Sequence, residues 1–171
     1  ELPYVENVSI RRSLPDTLVI AVEECQAVAV ILQAGVGWLV SSSGKLLEQV
    51  TATQAEAYPR ISGVELLMPE EGGTMEFPAS GNATEEQVLS LLQALESRGL
   101  LEKLGGIDCS GSDEMEMEYD GRFRVVMHYD DNFDQDLNMV EQVIPQLQSN
   151  QTGTLLLTMF DTTGEIRFVP D

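Results

Sequence analysis

The residues best placed to do chemistry lie between Asp130 and Glu141. Asp130, Asn132, Asp134, Asp136, Asn138 and Glu141 fall at positions 1, 3, 5, 7, 9 and 12 of a calcium loop, with Leu137 at the apolar position 8. Two features oppose a calcium site. Position 6 is Gln135 where the sharp turn takes glycine, and the preceding segment alternates like a strand where an EF-hand needs a helix. The plainer reading is a polar strand-to-helix turn, with an aspartate capping the helix and acids at its positive end. No metal is assigned, and calcium stays as the alternative.

Other reactive types are poorly grouped. Glu70 with Glu71, and Glu85 with Glu86, could form a general acid/base pair, but adjacent acids in so acidic a chain read as solvated surface. Cys25 follows Glu23 and Glu24, whose charge would raise its pKa and blunt it as a nucleophile. Cys25 and Cys109 are too few for a disulfide scaffold and lack metal-site spacing, and whether they pair is left open. The single histidine, His128, leaves little for a zinc or triad site. Ser13, Ser110 and Ser112 lack a nucleophile-elbow context, and no glycine-rich phosphate loop is present. The expectation is a protein that is not an enzyme and takes no cofactor.

The elements that would carry these residues are mostly strands. Val8 and Ile10 alternate with polar neighbours, Pro15-Asp16 makes a turn, and Leu18, Ile20 and Val22 alternate on the return. Residues 27–32 are an apolar run of strand length, and Gly35 and Gly37 suggest a turn. A meander continues through Trp38, a candidate core anchor, and a turn at residues 41–44 into Lys45 and Leu47. Residues 48–60 show no strong period, and residues 64–68 read as a strand. The spacing predicts a helix over residues 84–98: Thr84 and Gln87 have capping-box spacing, Val88, Leu91, Leu92 and Leu95 form a stripe, and Gly99 ends it.

Residues 114–129 form the clearest hairpin. A three-residue loop of Tyr119, Asp120 and Gly121 would set Glu118 against Arg122, Glu116 against Arg124, Met117 against Phe123 and Met115 against Val125. Direct pairing of Tyr119 with Arg122 would contradict that loop. Met115 and Met117 read as core. A second helix is expected over residues 133–148, with Leu137, Val140, Ile144 and Leu147 inward and Pro145 tightening its last turn. Residues 151–160 and 165–169 then read as paired strands around a turn at 161–164, with Met159 opposite Ile166 and Leu157 opposite Phe168. The fold class is therefore α+β: a mixed, mostly antiparallel sheet with two main helices packed on it.

The 171 residues carry 29 Asp and Glu against 9 Lys and Arg, a formal charge of −20, while 43% are hydrophobic. That apolar content supports a packed core. The charge excludes nucleic acid and adsorption to anionic lipid, both of which require a basic footprint. No run approaches the roughly 18–20 apolar residues of a membrane helix. The chain opens on Glu1, which reads as an excised or processed segment.

Several motifs together resemble one family. Val8-Ser-Ile-Arg-Arg-Ser-Leu-Pro-Asp-Thr-Leu-Val-Ile-Ala-Val-Glu23, then Ala27-Val-Ala29, then Trp38-Leu-Val40 with Gly44-Lys-Leu46, are similar to the FtsQ/DivIB family of bacterial cell-division proteins. Leu2-Pro3-Tyr4-Val5 resembles that family's L-P-x-V, and Pro59-Arg-Ile-Ser-Gly63 its P-x-I-x-G. Ala27 stands where the family has proline, and Ser41 where it has aspartate. The resemblance implies that residues 1–24 are the last strands of a POTRA-like domain and residues 25–171 an FtsQ-type β domain. It also implies a non-enzymatic scaffold of the divisome, on the outer side of the cytoplasmic membrane and anchored by a single span outside this chain. Such a scaffold would bind FtsB/DivIC- and FtsL-type partners and help control septal peptidoglycan synthesis. Partner docking on the last strands maps to Phe160, Gly164, Glu165, Ile166, Arg167 and Phe168, with Arg167 and the backbone preferred as direct contacts. A sheet-edge strand offers the unpaired N–H and C=O groups such docking needs. The rival readings are an extracytoplasmic calcium-binding module and a POTRA-containing protein-export receptor.

Overall fold

The computed structural model describes residues 2–130, 133–160 and 166–171. Two sheets form. The first is a hairpin of β1 (Val5–Ser13) and β2 (Thr17–Glu24), with Ile10 opposite Ile20 and Val8 opposite Val22. Its apolar alternation is as the sequence shows, yet Val8, Ile10, Leu18, Ile20 and Val22 all stay about half exposed or more. Nothing among the described residues covers that apolar face.

Among the described residues the second sheet has nine strands, in the order β11-β10-β9-β8-β7-β6-β3-β4-β5. Its first part is the expected meander: β3 (Ala27–Gln33), β4 (Val36–Ser41) and β5 (Leu46–Thr51), paired antiparallel. The turn between β3 and β4 sits at Ala34-Gly35, one step earlier than the glycines suggest, and Gly37 lies within β4. Next in space comes β6 (Arg60–Ser62), parallel to both β3 and β7 (Leu104–Asp108). The strand expected over residues 64–68 does not form. Gln33 takes both backbone groups of Leu66 with its side-chain amide, Leu67 donates to the Glu76 carbonyl, and Met68 turns to a positive φ of 40°. A short helix, α1 (Ala52–Ala55), fills part of the stretch that lacks a period; Thr51 and Gln54 form a capping box there.

Helix α2 (Glu85–Ser97) starts at Thr84 with the expected capping box to Gln87 and buries Val88, Leu91, Leu92 and Leu95. Gly99 follows at φ +67°. Helix α3 (Asp134–Val143) ends in a tight turn, Ile144–Gln146, around Pro145, and the N-cap position is Phe133. No side chain caps the helix at that position, so the aspartate cap expected there is corrected: Asp134 and Asp136 lie inside the first turn, where they still meet the positive end of the helix. Both helices cover one face of the sheet over the main core, which includes Trp38, Ile61, Met115, Met117, Phe133 and Leu155. A smaller cluster of Cys25, Val30, Leu39, Leu47, Val50 and Ala55 packs on the opposite face.

Two hairpin registers differ from expectation by two residues. In β8 (Glu114–Tyr119) and β9 (Phe123–His128), Tyr119 faces Phe123, Glu118 faces Arg124 and Met117 faces Val125. Asp120 and Gly121 both take positive φ, 56° and 62°, and the Arg122 N–H closes the turn on the Tyr119 carbonyl at 3.2 Å. The loop is thus three residues long with Gly121 left-handed, as expected, but it comprises Asp120, Gly121 and Arg122, and its placement on residues 119–121 is overturned by one position. In β10 (Gly153–Leu156) and β11 (Arg167–Pro170), Leu155 faces Phe168 and Leu156 faces Arg167, replacing the expected Leu157–Phe168 and Met159–Ile166 pairs. The chain leaves the sheet after Leu156, and a Phe160 N–H to Leu157 carbonyl bond of 2.8 Å turns it away. The expected turn at residues 161–164 lies outside the described residues.

Candidate functional site at the C-terminal sheet edge

Strand β11 ends the nine-stranded sheet, held on one side by four antiparallel pairs with β10. β10 itself runs parallel to β9, an arrangement that places the last strand of the chain at the margin. Phe168 anchors the edge: its ring meets Phe123 edge-to-face at 6.2 Å and 68°. Ile166 and Phe160 also pack on the core as half-buried side chains, whereas Arg167 is exposed. Of the residues singled out in the sequence, the structure therefore places Arg167 and Phe168 on the edge strand and Ile166 just before it, with Phe160 against the core. Gly164 and Glu165 lie outside the described residues. No strand pairs with the outer side of β11 among the described residues.

The acidic loop is organised around an arginine. Arg98, the C-cap of α2, sends its guanidinium to Asp134 Oδ1 at 2.8 Å, Glu141 Oε2 at 2.7 Å and Asn138 Oδ1 at 2.9 Å. It also donates to the Asp134 carbonyl. Residues 134–141 are helical, so their side chains radiate around α3, whereas a calcium loop wraps its ligands about one centre. Asn132 lies outside the described residues. The fork geometry of Arg98 clamps α2 to α3. Asp134 and Glu141 are 61% and 40% exposed, so solvent screening trims the gain. Arg98→Ala is expected to cost about 1–2 kcal/mol, a loss of roughly 3–6 °C in Tm, with Arg98→Lys intermediate. Thermal melts in low and high salt check this; an unchanged Tm in low salt refutes the clamp.

A second polar cluster joins the hairpin to the large sheet. The Cys25 thiol donates to Glu6 Oε2 at 2.8 Å, Ser43 Oγ donates to the same oxygen at 3.0 Å, and Lys45 Nζ reaches the carbonyls of Leu2 and Val5. The bond from Cys25 holds the Glu6 carboxyl below its usual range. Burial, then Glu6, pushes the Cys25 thiol up to about 11. The acid that blunts Cys25 is thus Glu6, ahead of the adjacent Glu23 and Glu24. Cys109, in the main core, is pushed up to about 12 by burial and then by Asp108. Both thiols are free, and they belong to clusters on different faces of the sheet. Ser41, 2% exposed, bonds Ser43 and accepts the Lys45 N–H, capping the turn as an aspartate would. Sequence reading missed Lys45 and Ser43, whose partners lie about 40 residues away.

The 580 Å³ cleft beside this joint is lined by Glu6, Cys25, Ser41, Ser43, Gln93 and Glu96 among others. It holds no activated nucleophile: its thiol is protonated and its serines bond to carboxylates or to each other. Glu71 accepts from the Gln49 N–H, while Glu85 and Glu86 lie in the first turn of α2, where Glu86, without Glu85, lines a surface cleft that Asp134 also borders. No helix among the described residues is long and apolar enough to cross a membrane.

The described residues thus form an α+β domain with a core on one face of a long sheet, a polar joint at one end and an open strand edge at the other. Comparison with known proteins makes the assignment particular. Residues 29–162 match the model of the family described as Cell division protein FtsQ/DivIB, C-terminal, and the chain belongs to that family. It is also 32% identical over 96 residues to the Cell division protein FtsQ of Geotalea daltonii, a match covering 56% of this chain and 33% of that protein. The chain thus spans about a third of the length of the curated relative it matches.

Proposed function

We propose that this region is a non-enzymatic scaffold of the bacterial division machinery, acting on the outer side of the cytoplasmic membrane. It binds FtsB/DivIC- and FtsL-type partners by strand addition and helps control septal peptidoglycan synthesis. The observation that carries this reading is the open outer edge of β11, with Arg167 exposed upon it. An edge of this kind lends main-chain hydrogen bonds for affinity and alternate side chains for specificity.

Residues 1–24 are the last strands of a POTRA-like unit and residues 25–171 the β domain. In support, β1 and β2 form a sheet of their own, and their open apolar face suits burial in a separate core. The membrane is reached through a single-pass anchor outside this chain. The charge of −20 keeps the domain off anionic headgroups, leaving the strand edge free for protein.

Arg167→Glu tests the edge. Its side chain is exposed, so the fold should survive, while affinity for the FtsB/DivIC-type partner of the same organism falls at least tenfold by calorimetry. Unchanged affinity in a folded variant refutes this docking site.

A further inference from the structure

Which groups β11 can offer a partner follows from its bonds to β10. The Asp171 N–H reaches the Thr152 carbonyl at 3.2 Å, and the register pairs Val169 with Thr154 and Arg167 with Leu156. In an antiparallel ladder these alternate positions turn both N–H and C=O toward the neighbour. β10 agrees from its other side: the N–H groups of Gly153 and Leu157 go to Arg122 and Val126, next to and within β9, which leaves Thr154 and Leu156 for β11. Residues 167, 169 and 171 therefore face β10, and residues 166, 168 and 170 face outward. Residue 170 is proline, which has no N–H to give.

We propose that Pro170 sets the register and length of an added strand, so that the partner contributes one short extended segment paired at Ile166 and Phe168, with a carboxylate beside Arg167. This rests on the strand-addition reading above. Phe168 presents a donor and an acceptor and Ile166, just before the strand, its carbonyl, whereas Pro170 presents only its carbonyl, so the ladder loses a donor there and the partner chain leaves the sheet. Proline at an edge is tolerated because its nitrogen faces solvent, and the same placement blunts the edge against long or repeated pairing.

Side chains select the occupant. On the open face the register lines up Glu116, Val126, Leu156 and Arg167 across four strands. Two apolar residues separate Arg167 from Glu116, which pairs instead with Arg124 at 3.2 Å. Among the described residues of this row no acid lies beside Arg167, so an acidic residue on the added strand complements it. Phe168, on the opposite face, points into the core.

Amide hydrogen exchange, read by NMR with and without the FtsB/DivIC-type partner of the same organism, tests the register. The Phe168 amide should slow at least tenfold on binding. The amides of Val169 and Asp171, already bonded to β10, should change little. In Pro170→Ala the amide gained at position 170 should slow as well, and affinity should rise about fivefold, the worth of one more hydrogen bond. A complex in which the Phe168 amide exchanges as in the free protein overturns the register while leaving strand-independent binding intact. Fast exchange of the amide gained in Pro170→Ala, with unchanged affinity, removes Pro170 as the limit. Failure of the unmodified protein to bind brings down the inference together with the reading beneath it.

Discussion

Gly63→Ala is expected to destabilise the domain by about 2–5 kcal/mol, a Tm loss on the order of 5–15 °C. Gly63 ends β6 at φ +77°, and a Cβ there would sit 2.3 Å from the Ser110 nitrogen and 2.4 Å from the Cys109 carbonyl carbon. Both are backbone atoms, and neither can yield. The Cys109 N–H is bonded to the Ser62 carbonyl at 2.9 Å, and the Ser110 N–H to Asp108 Oδ1 at 2.9 Å. Alanine thus meets two penalties: roughly 1–2 kcal/mol for the left-handed conformation and roughly 1–3 kcal/mol for the clash. Gly99→Ala is the control. Gly99 sits at φ +67° with open space around it, so only the first penalty applies. Thermal melts of the two variants should separate clearly, and equal losses would refute the backbone contact. Because β6 is a three-residue strand between β3 and β7, the damage falls at the middle of the sheet.

That glycine also shows what a sequence makes legible. Pro59-Arg-Ile-Ser-Gly63 is visible as a motif, but its reason, a parallel strand stopped against the backbone of residues 109–110, lies about 45 residues away. Local signals read correctly: the Thr84–Gln87 box, the stripe of α2 and the burial of Met115 and Met117 all depend on neighbours within a few positions. The Thr51–Gln54 box carried the same signal for α1, too short to show a period.

The register differences are of one kind. Both hairpins shift by two residues, and a shift of two returns every side chain to its own face. Alternation fixes face and leaves offset to the turn. At residues 119–123 the offset came from Asp120 and Gly121 adopting left-handed conformations, with Arg122 accommodated as an extra residue. An unbroken two-residue loop would have mixed the faces; the extra residue restores them. The parallel neighbours β3–β6, β6–β7 and β9–β10 were not legible, since residues far apart in the chain carry no local mark of their pairing. The acidic loop illustrates the same limit, because its spacing matches a calcium loop while its partner, Arg98, sits on another helix.

Removal of residues 165–171 should lower affinity for the FtsB/DivIC-type partner at least a hundredfold while the rest of the fold persists. The deletion takes away β11, the Phe168–Phe123 contact and the anchoring of Ile166. What remains is well held: β10 keeps its parallel ladder to β9, and Leu155 and Leu157 stay in the core. The new margin is β10, whose Thr154 and Leu156 would then turn their N–H and C=O groups outward. A partner could add there only by leaving Arg167 and Phe168 behind and losing the stop at Pro170. Its alternate side chains would then meet Thr154 and Leu156, a polar and apolar pair without charge. An edge with no charge and no proline is also open to self-pairing, so the truncated chain should dimerise at high concentration where the full chain does not. Circular dichroism reports the retained helices, calorimetry the affinity, and sedimentation the self-association. Full affinity in a truncated, folded protein would move the docking site away from the sheet edge, and with it the role assigned to Arg167.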